Sequence, residues 1–261
     1  MPEMTSHLPG SFCWADLATS DADSAKAFYA GIFGWDAVDK PTDAGIPYSM
    51  LLKEGKPVCA LYGMAPGQEG LRPHWQSYVT VESVDVVAAV VPTHGGLVLM
   101  PPLDIMDSGR MCMLQDPAGA VLGVWQPNLH PGAAFWNEPG AICWNELLTG
   151  DPAGAERFFG GIFGWTVKTN QNVLEGKYRI LVNAGQEVGG MREIEPEWGP
   201  MPPSWTVYFG VDDCDATVSE AERRGGKLLF PIMEIENVGR FAYLQDPQGA
   251  VFAIIQQAHP E

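Results

Sequence analysis

The sequence predicts an α+β protein assembled from four βαβββ modules, two in each half of the chain. The first observation behind this is an internal repeat: residues 142–170 repeat the pattern of residues 12–40 at an offset of 130, and the register continues without a gap. The second is that each half contains, twice over, one strand pattern, one helix pattern and three further strand patterns. A repeat of this length indicates duplication of one structural unit, and the order of its elements gives the fold class.

The first module of each half begins with a strand such as FCWADLAT at 12–19, where branched or aromatic side chains alternate with small ones. Asp21 is placed to cap the helix that follows, as Asp151 is in the second half, where Pro152 takes the first helical position. A second strand is expected to start at Gly34, with further strands near 47–52 and 56–63. The helix should bury an apolar stripe formed by Ala25, Phe28, Tyr29, Ile32 and Phe33.

The second module restarts the pattern after the loop 64–72. The strand HWQSYVTV is followed by a helix that is expected to open at Asp85 and to close at Gly95. Three more strands are expected near 97–101, 109–115 and 120–126. The segment QPNLHPGAAFWNEPG at 126–140 is rich in Pro, Gly and Asn, which indicates a linker. The domains predicted from these boundaries are residues 1–128 and 141–261, joined by the linker 129–140.

Composition limits the classes of partner. The formal net charge is −17 and the sequence contains no run of Lys or Arg, which argues against nucleic acid and anionic membranes as partners. No apolar run approaches the length of a membrane-spanning helix, and the first residues do not resemble a secretory signal. The five cysteines are scattered, which favours reduced thiols in a cytoplasmic protein. We therefore expect a cytoplasmic monomer or homodimer whose partner is a small molecule.

Two motifs suggest a family. The run D-x-x-x-A-x-x-F-Y-x-x-x-F-G-W begins at Asp21, and a D-P-x-G run occurs near the end of each half, at Asp116 and Asp246. In these motifs the chain resembles the vicinal oxygen chelate superfamily of glyoxalases, bleomycin resistance proteins and extradiol dioxygenases. It is similar in particular to the double-repeat type found in actinobacterial culture-filtrate antigens and hydroxylase-like proteins. The resemblance implies that two modules pair and that their sheets curl into a cup, giving two cups in all.

Members of that superfamily typically hold a divalent metal in the cup with His and Glu side chains. At the positions that the resemblance assigns to these ligands, this chain has other residues; His74 and Asp16 lie near them but do not match. We therefore expect no His/Glu metal site and no cofactor. The residues at the ligand positions are Trp14 and Trp144, Gln76 and Thr206, and Gly123 and Ala253.

The repeat-matched carboxylates Asp16 and Glu146 are the catalytic candidates. Side chains two apart on a strand share a face, so each carboxylate should face its cup beside Trp14 or Trp144. An aromatic neighbour would desolvate the carboxyl and raise its pKa, as general acids and bases require. The alternative is a structural ion pair with Arg110 or Arg240, which are also the cationic candidates for binding a ligand.

Aromatic and hydroxyl side chains among the substrate-binding candidates would bind a flat ligand through ring stacking and hydroxyl contacts. For the tyrosines the alternative is simple packing in the core. Asp116 and Asp246 are interpreted as turn residues. The substrate-binding candidates are Trp14, Trp144, Tyr48, Tyr178, Gln76, Thr206, Tyr78, Tyr208, Arg110 and Arg240.

Three functions remain open at this point. The first is a metal-free cup that binds a small aromatic or carbonyl-bearing metabolite, with acid–base tailoring of the isomerase, cyclase or lyase type. The second is a binding protein of the resistance type without catalysis, and the third is a divalent-metal lyase or oxygenase. The two halves differ where a ligand would lie, at 64–72 against 194–202 and at Cys59-Ala60 against Gly189-Gly190. The difference suggests one working site and one relic, or two substrates.

Overall fold

The structure is a computed structural model that describes residues 3–42, 45–65, 70–169 and 177–258. Over these residues the first half forms an eight-stranded sheet and the second half a nine-stranded sheet. The expected α+β class with two modules in each half is confirmed. No helix in the described part of the chain is long and apolar enough to cross a membrane.

The elements of the first half follow the predicted order closely. They are β1 (Phe12–Thr19), α1 (Ala22–Phe33), β2 (Asp36–Lys40), β3 (Tyr48–Lys53), β4 (Lys56–Gly63), β5 (His74–Thr80), α2 (Val84–Val90), a 3-10 turn (Val91–His94), β6 (Leu97–Ile105), β7 (Gly109–Gln115) and β8 (Val121–Pro127).

The second half repeats this order of helices and strands, except that the strand matching β6 is divided in two. Its elements are β9 (Ile142–Thr149), α3 (Pro152–Phe163), β10 (Thr166–Thr169), β11 (Arg179–Asn183), β12 (Gln186–Glu193), a 3-10 turn (Pro196–Trp198), β13 (Ser204–Gly210), α4 (Cys214–Arg223), β14 (Lys227–Leu228), β15 (Met233–Ile235), β16 (Gly239–Gln245) and β17 (Val251–Gln257).

The first strands of the two modules lie side by side at the centre of each sheet. The strand order is β2-β3-β4-β1-β5-β8-β7-β6 in the first sheet, and the second sheet repeats it. Because β1 and β5 are antiparallel, Asp16 lies opposite Gln76, and Glu146 likewise lies opposite Thr206. Residues directly opposite each other in an antiparallel pair share a face. The topology therefore brings the candidates of both modules to one inner face.

The caps of the four helices differ from expectation at one position. Asp21 and Asp151 accept from the backbone N–H three residues on, as predicted. The second helix, however, is capped by Ser83 rather than opened by Asp85. Ser83 precedes the first helical residue, whereas Asp85 lies within the first turn, where its carboxylate binds Arg110 instead.

The outer faces of the two sheets pack on each other and form two cores, each with residues from both halves. One core joins α1 and β1 to β13, α4 and β17, with Phe28, Leu17, Phe209 and Phe252 at its centre. The other joins α2, β7 and β8 to α3 and β11. Trp75 and Trp205 lie in these cores, on the face away from the cups, as their strand positions predicted.

Tyr29 makes a hydrogen-bonded contact between the two halves. The Tyr29 hydroxyl accepts from Trp75 Nε1 at 2.9 Å and donates to Asp246 Oδ2 at 3.0 Å. The other oxygen of Asp246 accepts three backbone N–H groups of its turn, as does Asp116 in the first half. The two aspartates therefore have the turn geometry that the D-P-x-G pattern predicted.

Candidate functional site

The inner face of the first sheet carries a hydrogen-bonded aromatic and carboxylate cluster, which we call cup 1. Trp14 Nε1 donates to the Tyr48 hydroxyl at 2.9 Å, and that hydroxyl donates to Asp16 Oδ2 at 2.9 Å. The Tyr78 hydroxyl lies 3.2 Å from the same oxygen. Asp16 is buried and faces its cup, as the alternation of the strand predicted.

The second sheet carries the matching cluster, cup 2, with one phenol more. Trp144 Nε1 donates to the Tyr178 hydroxyl at 2.8 Å. Tyr208 and Tyr243 both donate to Glu146 Oε1, at 3.1 and 2.5 Å, and their hydroxyl oxygens are 2.6 Å apart. The carboxyl of Glu146 is therefore buried among phenols rather than paired with a cation.

Burial and hydrogen bonding act on these carboxyl groups in opposite directions. Burial raises the pKa of Asp16 to about 7, although the hydrogen bonds from Tyr48 and Tyr78 pull it down. Burial likewise raises the pKa of Glu146, opposed by its three tyrosines and by the charge of Arg192. Burial also raises the pKa of Tyr208 and Tyr178, so the phenols stay protonated as donors. A carboxyl group whose pKa is raised by burial is suited to accept or return a proton.

The linker occupies the space over cup 1. The His130 ring packs edge-on against Trp14 at 4.4 Å between centroids, and Trp125 Nε1 donates to the His130 carbonyl at 2.9 Å. Ala133 is fully buried in the same cluster, and its N–H donates to the Cys13 carbonyl at 2.8 Å. Residues of the linker thus take the place that a ligand of cup 1 would need.

Cup 2, in contrast, holds a cavity of about 700 Å³, within the range that accepts a drug-sized ligand. Glu146, Trp144 and the three tyrosines line its polar end. Apolar side chains form much of the remaining wall: Ile180, Val188, Ile235, Phe241 and Ile255. Residues near the start of the chain, among them Met4 and His7, lie along its rim. The two cups of the chain are therefore unequal, as the differences between the repeats suggested.

Sequence reasoning missed two residues of cup 2. Tyr243 stands where the first half has Met113, and Arg192 stands where it has Tyr62. Neither side chain has a matching residue in the other half, so the repeat does not indicate them. Both lie on strands at alternate positions that face the cup, so a search for polar residues unique to one half would have found them.

The alternative prediction, that the two cup carboxylates form structural ion pairs with Arg110 and Arg240, is wrong. Arg110 pairs with Asp85 and Asp104, and Arg240 with Asp215 and Glu234, on the protein surface. The Asp in the first turn of each second-module helix pairs with its Arg, which holds the Arg outside the cup. Neither Arg110 nor Arg240 lies among the residues that line the cavity of cup 2.

Gln76 and Thr206 are buried at the inner faces, opposite the two carboxylates. Gln76 Nε2 donates to the neighbouring Ser77 carbonyl at 2.9 Å. Cys143 lines the cavity, but burial raises the pKa of its thiol to about 12, which makes it a poor nucleophile. The carboxyl group and the phenols are therefore better suited to proton exchange than the Cys143 thiol.

The residues at the family's metal-ligand positions do not fit a divalent metal. The indole N–H groups of Trp14 and Trp144 donate to phenols and offer no lone pair. A side chain at Gly123 would overlap the Tyr78 ring, so the last-strand Glu of the family has no room there. Nowhere in the described ranges do three His, Cys, Asp or Glu side chains come together as a metal-binding group.

Comparison with known proteins agrees with this architecture. The profile of the Glyoxalase/Bleomycin resistance protein/Dioxygenase superfamily matches residues 11–124 and again residues 141–254. Over 99% of both chains, the sequence is 42% identical to "Putative glyoxylase CFP32" of Mycobacterium tuberculosis. It is 33% identical to the anthracycline biosynthesis protein DnrV of Streptomyces peucetius, over 97% of this chain and 95% of that one.

Solved structures share the fold at low sequence identity. The Mn(II)-bound glyoxalase from Novosphingobium aromaticivorans superposes with a TM-score of 0.68 and 18% identity, over 96% of this chain and 83% of that one. The 2,3-dioxygenase LapB from Pseudomonas sp. KL28 gives a TM-score of 0.66 and 13% identity, over 98% and 96% of the two chains.

Proposed function

The chain belongs to the glyoxalase/bleomycin resistance protein/dioxygenase superfamily, and from this premise we propose that cup 2 binds a small aromatic or carbonyl-bearing metabolite and moves a proton on it. The observation that carries the proposal is the buried carboxyl of Glu146 at the wall of a 700 Å³ cavity, surrounded by three phenols. Trp144 and Phe241 supply flat apolar surface for a ring.

Glu146 is the proposed general base. In its ionised form it accepts from Tyr208 and Tyr243. When it takes a proton from the carbon next to a ligand carbonyl, the C–H electron pair forms a carbon–carbon double bond, the π pair of the carbonyl moves onto its oxygen, and Glu146 becomes neutral. A neutral carboxyl needs fewer donors, so the phenol protons turn to the new oxyanion and stabilise it. Return of the proton to another carbon completes an isomerisation.

The relatives support small-molecule tailoring as the class of function. Two of them are named for anthracycline biosynthesis, at 33% identity over nearly the whole chain. The mechanism proposed here uses only side chains of the protein, because the donor set in the described residues does not fit a divalent metal. A metal-dependent lyase or oxygenase is therefore not the function we propose.

Binding without turnover is the second candidate, and cup 1 is the observation that favours it. Cup 1 keeps the same indole, phenol and carboxyl arrangement although the linker covers it. The arrangement therefore has a structural role that does not depend on binding a ligand. In a binding protein, Glu146 would serve only to orient the hydroxyl or carbonyl group of the ligand.

Exchange of deuterium into 2-tetralone, a flat ketone with acidic carbon-bound protons, tests the proposal. In D₂O the parent protein should accelerate loss of those proton signals in the NMR spectrum. Glu146→Gln keeps the shape of the side chain but cannot take the proton, and it should abolish the acceleration. Asp16→Asn, the matched change in cup 1, should leave it intact. If tetralone binds but the parent gives only the background exchange rate, binding without turnover becomes the better function.

A further inference from the structure

Arg192 is the single cationic side chain lining the cavity of cup 2 in the described part of the chain. It lies on β12, two residues beyond Gly190, which is in register with Glu146. Alternation along the strand therefore turns Arg192 to the same inner face. Burial raises the pKa of Glu146 and of Tyr243, and the guanidinium charge opposes this rise in both.

The guanidinium group is held in place while its donors stay available. It stacks on the ring of Trp198 at 4.4 Å, and the Glu195 carboxylate is 3.7 Å from Nη2. That distance is too long for a hydrogen bond, and Arg192 donates no hydrogen bond to any other residue that the structure describes. An Arg side chain has five N–H donors in a planar fork that matches a carboxylate. An oriented fork with free donors at a cavity wall is suited to bind an anion.

The charges around the cavity favour the same ligand class. Its two lining carboxylates are otherwise engaged, Glu187 with Lys168 and Glu146 with its tyrosines. The chain as a whole has a formal charge of −17, which repels anions except where a local cation offsets the field. Cup 1 has no equivalent group, because Tyr62 replaces Arg192.

We propose that cup 2 selects an anionic ligand, an aromatic carboxylate whose acid group binds Arg192 while its carbonyl or ring end lies against Glu146 and Trp144. This inference rests on the proposed function of the cavity and names the substrate class. It also assigns a role to the segment 194–198, which differs between the halves: Trp198 and Glu195 orient the guanidinium.

Calorimetric titration with two matched probes tests the inference. 2-Naphthoate carries a carboxylate, and 2-naphthamide has the same ring without the charge. A charge-assisted hydrogen bond contributes about 1.5–3 kcal/mol, so the parent should bind 2-naphthoate roughly 10- to 100-fold more tightly. Arg192→Met should erase that preference, and Arg192→Lys should retain part of it. Arg240→Met removes the same charge from the surface of the same half and should leave the preference intact.

The other outcomes of the titration distinguish failure of the anion inference from failure of the proposed function. Equal affinity of the parent for both probes, or an equal loss of both in Arg192→Met, would overturn the anion inference but leave the cavity as a ligand site. Failure of the parent to bind either probe would overturn the inference together with the proposed function. Unchanged binding of 2-naphthamide to Arg192→Met shows that the effect of this substitution does not come from misfolding.

Discussion

At the scale of single residues, Tyr29 and Phe159 occupy repeat-related positions and differ by one hydroxyl group. The Tyr29 hydroxyl connects Trp75 to Asp246. At the related position, where Phe159 has no hydroxyl, Trp205 Nε1 and Asp116 Oδ2 are buried without a hydrogen-bond partner. One side of the molecule therefore satisfies a buried polar pair that the other leaves unsatisfied.

Phe159→Tyr should stabilise the protein, because the added hydroxyl can accept from Trp205 and donate to Asp116. A gain of about 1 kcal/mol in the free energy of unfolding is expected, and Tyr29→Phe should cost about 1–3 kcal/mol by leaving both of its partners unpaired. Urea denaturation of both variants and the parent measures this. A loss of stability in Phe159→Tyr would show that the site has no room for the hydroxyl.

Asp16 should make stability depend on pH. Burial raises its folded-state pKa from 3.8 to about 7. The unfolded chain therefore ionises first as the pH rises, and between about pH 4 and pH 7 this group lowers the stability of the folded state. Asp16→Asn removes the effect, so the free energy of unfolding of the variant relative to the parent should increase from pH 4 to pH 8. A difference that does not change with pH would contradict the raised pKa.

The candidate site could be predicted only in part. Alternation along β1 placed Trp14 and Asp16 on one face, because strand geometry alone decides this. Arg192 could not be assigned from the repeat, since its role depends on the shape of one half and on a loop unlike its counterpart. The sequence leaves the pairing of Asp16 with Arg110 open, because the contact of Asp85 with Arg110 follows from helix placement, which local sequence does not determine.

At the scale of elements, the linker is the segment that makes the two cups unequal. Composition predicted a loop at 129–140, but its role as a cover depends on tertiary contacts. Gly132 makes this path available: its φ is 121°, and a Cβ there would lie 2.5 Å from the Cys13 carbonyl oxygen. The strand pattern was predicted more accurately, except that β6 extends beyond the predicted 97–101 to Ile105 and its counterpart is divided into β14 and β15.

Gly132→Ala should displace the linker from cup 1. A strained backbone and a backbone contact of 2.5 Å together should cost about 2 kcal/mol or more of folding stability. Gly140→Ala, also at positive φ but with its nearest neighbour at 3.4 Å, is the control and should cost about 1 kcal/mol. Thermal denaturation compares them. Equal losses would mean that the linker adapts without leaving the cup.

At the scale of the whole molecule, the two sheets share both of their cores. Leu17 and Phe28 of the first half pack with Phe209 and Phe252 of the second. The repeat could predict two similar halves, but not that their outer faces are buried against each other. A separated half would expose these side chains to water.

The halves should therefore unfold together and fail to fold apart. The complete chain should give one cooperative transition that has the same midpoint by tryptophan fluorescence and by circular dichroism. Residues 1–140 and 141–261 produced separately should lack that transition and aggregate, and mixing them should restore it. A separated half with its own sharp transition would show that the shared cores are not needed for folding.

We propose that cup 2, and not cup 1, is the ligand site, and a pair of matched substitutions distinguishes the two cups. Ile235 lines the cavity of cup 2, and Ile105 is its repeat partner in cup 1. Calorimetric titration with 2-naphthamide, the neutral probe, should show binding to the parent and to Ile105→Trp, and no binding to Ile235→Trp, whose indole fills the cavity. Binding that survives in Ile235→Trp and is lost in Ile105→Trp would contradict the account.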